Sequence, residues 1–462
     1  MNAFLVLAIY LLLIAGIPFF LKRENTQEDY LAGNREFGTV NMALSIASTW
    51  IWAPALFVSA EQAYINGWVG LFWFVLPNVL CLILFIPFAK RIRKKLPFGF
   101  TLSEYMAQQY SPRVKKVYLF QLSSLSLLST VVLAGGKILS MLTGFPFWSM
   151  TLLLGLFTLS YSVLHGIRAS VITDAVQMLL ILAACLWLVP WTVQEVGVSA
   201  LFQGLGGIHG EIRHLFDRNG LEVFLAFGFS TTIGLLSGPF GDQSFWQRAF
   251  AVKSDKIASS FLWGAIFFAV VPLSMGILGF LAAGTGFHPS DKQMVNLELV
   301  LQVLPNWVTA LFLFMLLSGL MSTISSNLCS ISALTHDLLQ SAKLKHYRIG
   351  MLVMIGLAMA LAHIPGLTLV HLFLFYGTLR ASTFATTVLS LTGFSLTEKG
   401  VFYGVFSSLL VGWPIFAYGN LMNDSLFKVI GSLTTLTLSG IVAIVLTEGG
   451  KFRARKKTGN LP

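Results

Sequence analysis

Of the 462 residues, 56% are hydrophobic and only 11% are charged, and the mean hydropathy is +0.78. A soluble domain carries roughly 25% charged residues, so this chain has too few to clothe a water-facing surface. Its apolar runs recur from end to end, as in an integral membrane protein. The net charge of +11 does not point to nucleic acid, because the basic residues sit in short segments between apolar runs, at 22–23, 90–95, 113–116, 248–256, 343–348 and 451–457. That is the placement expected of cytoplasmic loops.

A membrane-spanning helix needs about 20 mainly apolar residues. On that basis about thirteen spans are predicted, near 2–21, 38–65, 67–90, 117–142, 147–165, 170–193, 220–247, 257–284, 300–339, 347–364, 367–392, 398–419 and 425–448. The first run has no basic segment before it and no A-x-A-like cleavage site, so it reads as a helix and not as a signal peptide. An outside N-terminus places every basic segment, including the KFRARKKTGNLP tail, on the cytoplasmic side. The expectation is a multi-pass protein of the plasma (inner) membrane. The loop 194–219, with Glu195, Glu211 and Asp217, falls outside and has room for a short surface helix. Cys81, Cys185 and Cys329 lie within apolar runs and read as packing residues. No nucleotide-binding loop or soluble domain is evident, so an ATP-driven pump on this chain alone is not expected.

Two spans carry breaks. The second, MALSIASTWIWAPALFVSAEQAYING, has Pro54 at its middle, with Ser45, Ser48 and Thr49 before it. The seventh, FLAFGFSTTIGLLSGPFGDQSFWQRAFA, carries Gly234, Ser237-Gly238-Pro239 and Gly241. Proline removes a backbone donor, and unpaired backbone at membrane depth survives only beside protein or a water-filled cavity. Breaks five spans apart suit two five-helix repeats around a central transport site. Two independent kinks are the plainer explanation, and the matched spacing weighs against it. The ninth span, SGLMSTISSNLCSISALTHDLL, crowds Ser322, Thr323, Ser325, Ser326 and Ser330 together. Ser322, Ser325 and Ser326 share one helix face. Hydroxyls and freed carbonyls suit a hard cation, but membrane serines equally bond their own backbone or glue helices. Composition leaves the two readings level.

Asp174, in HGIRASVITDAVQ, stands near the start of the sixth span. An ionisable residue in a span is functional by default; its place near a helix start favours a cap. Lys137 and Arg380 are charged residues within spans, able to bind a substrate carboxylate, to snorkel, or to pair with Glu61 or Asp242.

Taken together, EDYLAGNREFG, TLSEYMAQQYS, GIRASVITDAVQ, QRAFAVKS and MSTISSNLCSISALTHDLL resemble the sodium:solute symporter family along nearly the whole chain. The resemblance implies an all-α polytopic fold with a LeuT-type core of two inverted five-helix repeats. The organisation would be 1–37 as an extra helix and loop, 38–193 and 220–392 as the repeats, and 398–462 as two further helices and a basic tail. It implies a carrier, not an enzyme, that brings in a small organic solute with co-transported Na+, one or two ions. The bilayer would be its surroundings, and neither nucleic acid nor an obligate protein partner is expected. The family register places the principal sodium on the carbonyls of Ser48, Ile51 and Gly319 and the hydroxyls of Ser322 and Thr323. A second sodium in some members would use Asp174, Ser322, Ser325 and Ser326. Proline carriers of the family have an aspartate and a serine where this chain has Trp50 and Trp52, and STWIWAPALFVSAEQAY looks closer to the urea and polyamine branch. Candidate cavity residues are Trp50, Trp52, Asn78, Lys137, Phe240 and Gln243. Two alternatives stand beside the sodium reading: a proton-coupled carrier with Asp174 carrying the proton, and a non-transporting membrane sensor.

Overall fold

The computed structural model describes residues 3–21, 26–131, 135–364, 369–422 and 424–458. The basic pair Lys22 and Arg23, and the end of the C-terminal tail from 459 onward, lie outside the described residues, as does the side chain of Trp52.

The fold is helical throughout. In chain order the helices are α1 (Ala3–Phe19), α2 (Gln27–Ala32), α3 (Thr39–Lys95), α4 (Leu102–Gln109), α5 (Pro112–Thr130), α6 (Gly136–Thr143) and α7 (Phe147–Val196). They continue with α8 (Val198–Gln203), α9 (Arg218–Val223), α10 (Phe229–Leu236), α11 (Gly238–Gly241), α12 (Gln243–Ala251) and α13 (Ile257–Gly284). The last are α14 (Val295–Val303), α15 (Thr309–Leu339), α16 (Leu344–Ala362), α17 (Leu369–Thr392), α18 (Glu398–Ser407), α19 (Trp413–Leu421) and α20 (Ser425–Thr458). Among the described residues one isolated bridge, between Phe37 and Val252, is the sole β-type pairing.

Two of these helices are too long to cross a bilayer once. At 1.5 Å per residue, the 57 residues of α3 would extend about 85 Å, against a hydrocarbon core of about 30 Å. Each long helix doubles back at a glycine: Gly67 in α3 has φ +60° and Gly166 in α7 has φ +55°. A side chain is disfavoured there twice over. L-residues avoid this backbone region, and a Cβ would collide with the carbonyl oxygen of Leu205 or of Tyr30.

Eight helices among the described residues are long and apolar enough to cross a membrane, and a shorter apolar helix covers Leu5–Pro18. This is a multi-pass membrane protein. The expected thirteen spans are not all met by that measure, partly because each doubled helix is counted once.

The second span departs from expectation. Its backbone stays helical through Pro54, so the break expected there is absent. A proline in a continuous helix leaves only the carbonyl four residues earlier, that of Trp50, without its donor. Helical spacing pairs the carbonyls of Ser48 and Ile51 with the N–H groups of residues 52 and 55; they are not freed. The seventh span does break. A π-helical turn over Phe224–Gly228 leads into α10, and the chain passes through Ser237 and α11 to an extended Asp242 (φ −115°, ψ 115°) before α12 begins. The loop after α7 forms α8, the short helix that its composition allowed.

The bundle closes around α3, α7, α13 and α15: α13 runs along α3, and α15 packs on α7. Small residues allow the approach, as is usual between membrane helices. A Cβ on Gly264 would press on Ile46, and one on Gly279 would meet the Ala60 carbonyl.

Candidate functional site

The serine-rich face of α15 is wholly buried, and its hydroxyls divide into two kinds. Most bond back to their own helix: Thr323 to the Gly319 carbonyl at 2.9 Å, Ser326 to Ser322 at 2.7 Å, Ser330 to Ser326 at 2.9 Å and Ser325 to Ser322 at 3.0 Å. This is the ordinary behaviour of membrane hydroxyls. The Ser322 Oγ is the exception: it is buried without a bond to its own helix and has the Asp174 carboxylate as its polar neighbour. The Ser48 Oγ on α3 is buried with no partner among the described residues. A buried polar atom without a partner is expensive. Of these two hydroxyls, the family register assigns that of Ser322 to the principal sodium; Ser48 enters that set through its carbonyl.

Asp174 lies two turns beyond the Gly166 reversal and is fully buried, so it does not cap a helix start. Its partners come from four helices. The Oδ2 accepts from Ser45 Oγ on α3 at 2.8 Å, from Arg248 Nη2 on α12 at 2.8 Å and from Ser170 Oγ on its own helix at 3.4 Å. The Oδ1 accepts from Ser325 Oγ on α15 at 3.3 Å.

Arg248 is equally committed. Its Nε donates to Ser45 Oγ at 3.0 Å, its Nη1 to the Ser244 carbonyl at 3.0 Å, and its Nη2 also reaches Ser326 Oγ at 2.6 Å. Thr49 Oγ1 lies 2.8 Å from Ser326 Oγ. A guanidinium therefore stands against two of the groups, Asp174 and Ser326, that a second sodium would use. Sequence reasoning counted Arg248 as a topology charge. Its place within the apolar SFWQRAFA stretch was the one sign that it turns inward.

A second buried ion pair marks the break in the seventh span. Asp242 caps α12, accepting from the Ser244 N–H at 2.9 Å and its Oγ at 2.7 Å. Its other oxygen accepts from the Tyr376 hydroxyl and from Arg380 Nη2 at 3.1 Å, both on α17. Of the two partners open to Arg380, Asp242 is the one it takes. The guanidinium is flanked by the Tyr376 ring, 3.4 Å from its centroid, and by the Trp50 ring at 4.8 Å. The glycines of GPFG make this possible. Trp50 lies over Gly238 and the Arg380 backbone lies against Gly241, and a Cβ at either glycine would collide.

The remaining cavity candidates do not converge. Gln243 is spent on the loop before α4, donating to the Phe100 carbonyl at 2.8 Å and accepting from the Leu102 N–H at 3.2 Å. Asn78 bonds its own helix at the Phe74 carbonyl. Phe240 sits in an aromatic cluster with Phe85, Phe88, Trp246 and Phe384. Lys137 is exposed on α6. These four read as tethering, packing and surface residues; Trp50 packs against the break at Gly238 and stays a candidate.

The family model described as Sodium:solute symporter family matches residues 30–408. The sodium/pantothenate symporter of Haemophilus influenzae is 26% identical over 99% of this chain and 98% of its own. A probable urea active transporter of Schizosaccharomyces pombe is 26% identical over 54% of this chain, and the urea-proton symporter DUR3 of Oryza sativa subsp. japonica is 22% identical over 69%. Those matches span only 38% and 49% of the two urea carriers. Among solved structures, a Na+-coupled sialic acid symporter in a substrate-bound outward-open state superposes with a TM-score of 0.75 over 96% of this chain and 98% of its own, at 16% identity. That likeness carries the fold alone.

Proposed function

Because the chain belongs to the sodium:solute symporter family, whose model covers residues 30–408, we propose that it imports a small organic solute coupled to sodium by alternating access. The reading rests above all on the Ser322 hydroxyl, which is buried and makes no bond to its own backbone on a helix whose other hydroxyls mostly do. The family register adds the Thr323 hydroxyl, the Gly319 carbonyl and, from the second span, the carbonyls of Ser48 and Ile51. The 2.8 Å contact of Thr49 with Ser326 supports α3 and α15 meeting at this level. For those last two carbonyls to act as ligands, the second span must loosen near Pro54 when the ion binds. In this reading the two five-helix repeats are 38–193 and 220–392, the N-terminus faces outward and the basic tail is cytoplasmic in the inner membrane. At 100 mV one sodium charge supplies about 2.3 kcal/mol, or roughly fiftyfold accumulation of a neutral solute.

The coupling is one ion per cycle so long as Arg248 keeps its place. A second sodium on Asp174, Ser322, Ser325 and Ser326 has to displace a guanidinium that makes contacts of 2.8 Å to Asp174 and 2.6 Å to Ser326. The proton-coupled reading takes some support from the rice relative. Against it stands the occupancy of the carboxylate: its Oδ2 already accepts from Ser45 and Arg248 and its Oδ1 from Ser325. Uptake into proteoliposomes decides between them. Accumulation driven by an inward sodium gradient at equal pH is expected; accumulation driven equally by a proton gradient in sodium-free medium overturns the proposal.

A further inference from the structure

We infer that the Trp50–Arg380 pair is a carboxylate-binding subsite, and that the passenger is a short organic acid. This rests on the symport reading above and adds the chemical class of the solute.

Two buried donors at this place lack acceptors. Arg380 is 1% exposed and Trp50 2% exposed. The Arg380 Nε and the Trp50 indole Nε1 are both buried with no hydrogen-bond partner among the described residues. The two side chains are in contact, with the guanidinium 4.8 Å from the indole ring centroid. Orphaned indole N–H groups recur on Trp73 and Trp413; what sets this pair apart is that the two side chains touch, and one of them is a guanidinium.

The acceptors nearby are already taken. Asp242 receives Ser244 on one oxygen, and Tyr376 and Arg380 on the other. The subsite thus offers N–H groups and asks for oxygens. A carboxylate meets a guanidinium edge well and forms the stronger, charge-assisted bonds. A neutral amide also brings a carbonyl, but its own N–H groups find no free Asp242 oxygen.

Charge gives the same answer. Asp242 and Arg380 together are neutral, so a carboxylate brings one uncompensated negative charge into a buried place. A co-bound sodium ion supplies the missing positive charge, and that makes binding of the acid depend on the ion. Arg380 also lines a narrow cleft of about 20 Å³ between α10, α17 and α19, with Ser230, Thr231 and Thr378 on its walls. That is room for about one water, so an acid enters only when α10 and α17 part, and the hydroxyls on the walls suit a short, hydroxylated one.

The test uses the full-length protein in nanodiscs and follows its thermal midpoint with a panel of two- to six-carbon carboxylates. Lactate is compared directly with its neutral isostere lactamide, and with urea, in sodium and in potassium. Carboxylates are expected to raise the midpoint in sodium and to do little in potassium, with lactamide and urea without effect. Trp50→Phe keeps the ring and removes the indole N–H; it should weaken the best acid about tenfold, a typical loss for a hydrogen bond to a charged group. The charge-balanced double variant Asp242→Asn with Arg380→Gln should abolish the response. Stabilisation by lactamide or urea equal to that by lactate, no response to any acid, or an unchanged affinity in Trp50→Phe overturns the inference. Stabilisation by sodium alone is recorded in parallel. If it persists while the acids fail, the subsite is wrong and the symport reading stands; if it is absent as well, the symport reading fails.

Discussion

The Arg248 Nη2 donates to the Asp174 Oδ2 at 2.8 Å, and both side chains are buried to within 1% of completely. The pair joins α12, just past the break in the seventh span, to α7 in the first half of the chain. Its Ser45 and Ser326 partners add α3 and α15 to the same junction. Four helices therefore meet at one charged contact. Removing one partner of a buried pair leaves a charge with no compensation, at about 3–5 kcal/mol. We predict that Asp174→Asn lowers the melting temperature markedly, and that Asp174→Asn with Arg248→Gln recovers most of the loss. A double variant no more stable than the single one would show that the pair is not a unit.

The same contact bears on stoichiometry. Sodium activation of uptake should follow a Hill slope of one in the wild type. A slope approaching two that returns to one in Asp174→Asn would mean that a second ion displaces Arg248.

Ser322 carries the next prediction. Its Oγ has no backbone bond to lose, whereas the Thr323 hydroxyl already bonds the Gly319 carbonyl. Ser322→Ala should therefore leave thermal stability in potassium unchanged, or raise it slightly. The sodium concentration for half-maximal stabilisation should rise by about tenfold, equivalent to about 1.4 kcal/mol. Thr323→Ala should combine a similar rise with a small loss of stability. Equal sodium affinity in the double variant removes both residues from the ion site.

The glycine reversals give a prediction about folding. Gly67→Ala and Gly166→Ala each force an L-residue into a left-handed backbone, at about 1–2 kcal/mol, and drive a Cβ onto a carbonyl oxygen. Both should reduce the yield of monodisperse protein. Gly356→Ala, on α16 with nothing within 4 Å of the added methyl, should be neutral or mildly stabilising. Similar yields for all three would contradict the reversals.

Glu104, on α4 outside the spans, sets a pH dependence. Burial raises its pKa above the ordinary carboxyl value, opposed in part by a hydrogen bond from the Phe100 N–H at 3.0 Å. The folded state therefore holds the proton more tightly than the unfolded one. The stabilising contribution is complete below the unfolded pKa of about 4.3 and is lost as pH rises through the folded value. Glu104→Gln keeps an acceptor oxygen and cannot ionise. Its melting temperature should exceed that of the wild type at pH 8, and the gap should narrow towards pH 4. A gap independent of pH would rule out this titration.

Much of this protein was legible in its sequence, for a physical reason. A bilayer demands about 20 apolar residues per crossing, so class and approximate spans follow from composition alone. The break in the seventh span was legible too, because Ser-Gly-Pro-Phe-Gly-Asp combines a missing donor, two residues without a Cβ and a capping carboxylate. Pro54 looked equally decisive, yet the helix continues through it. One absent hydrogen bond does not unwind a helix that its neighbours hold.

The site divides along the same line. The hydroxyl cluster of the ninth span could be named from spacing, but only the packed structure separates Ser322 from serines that bond their own backbone. Gln243 and Arg248 both lie on α12, five residues apart, and neither role follows from residue type. One is tied to the backbone of Phe100 and Leu102, and the other is buried against Asp174. An arginine after a span is usually a topology charge, and it becomes an internal cation only when the chain turns it inward. Sequence by itself determined that the chain crosses the membrane and where it could bend. Tertiary structure decided which charges are buried together, because that depends on contacts between helices far apart in the chain.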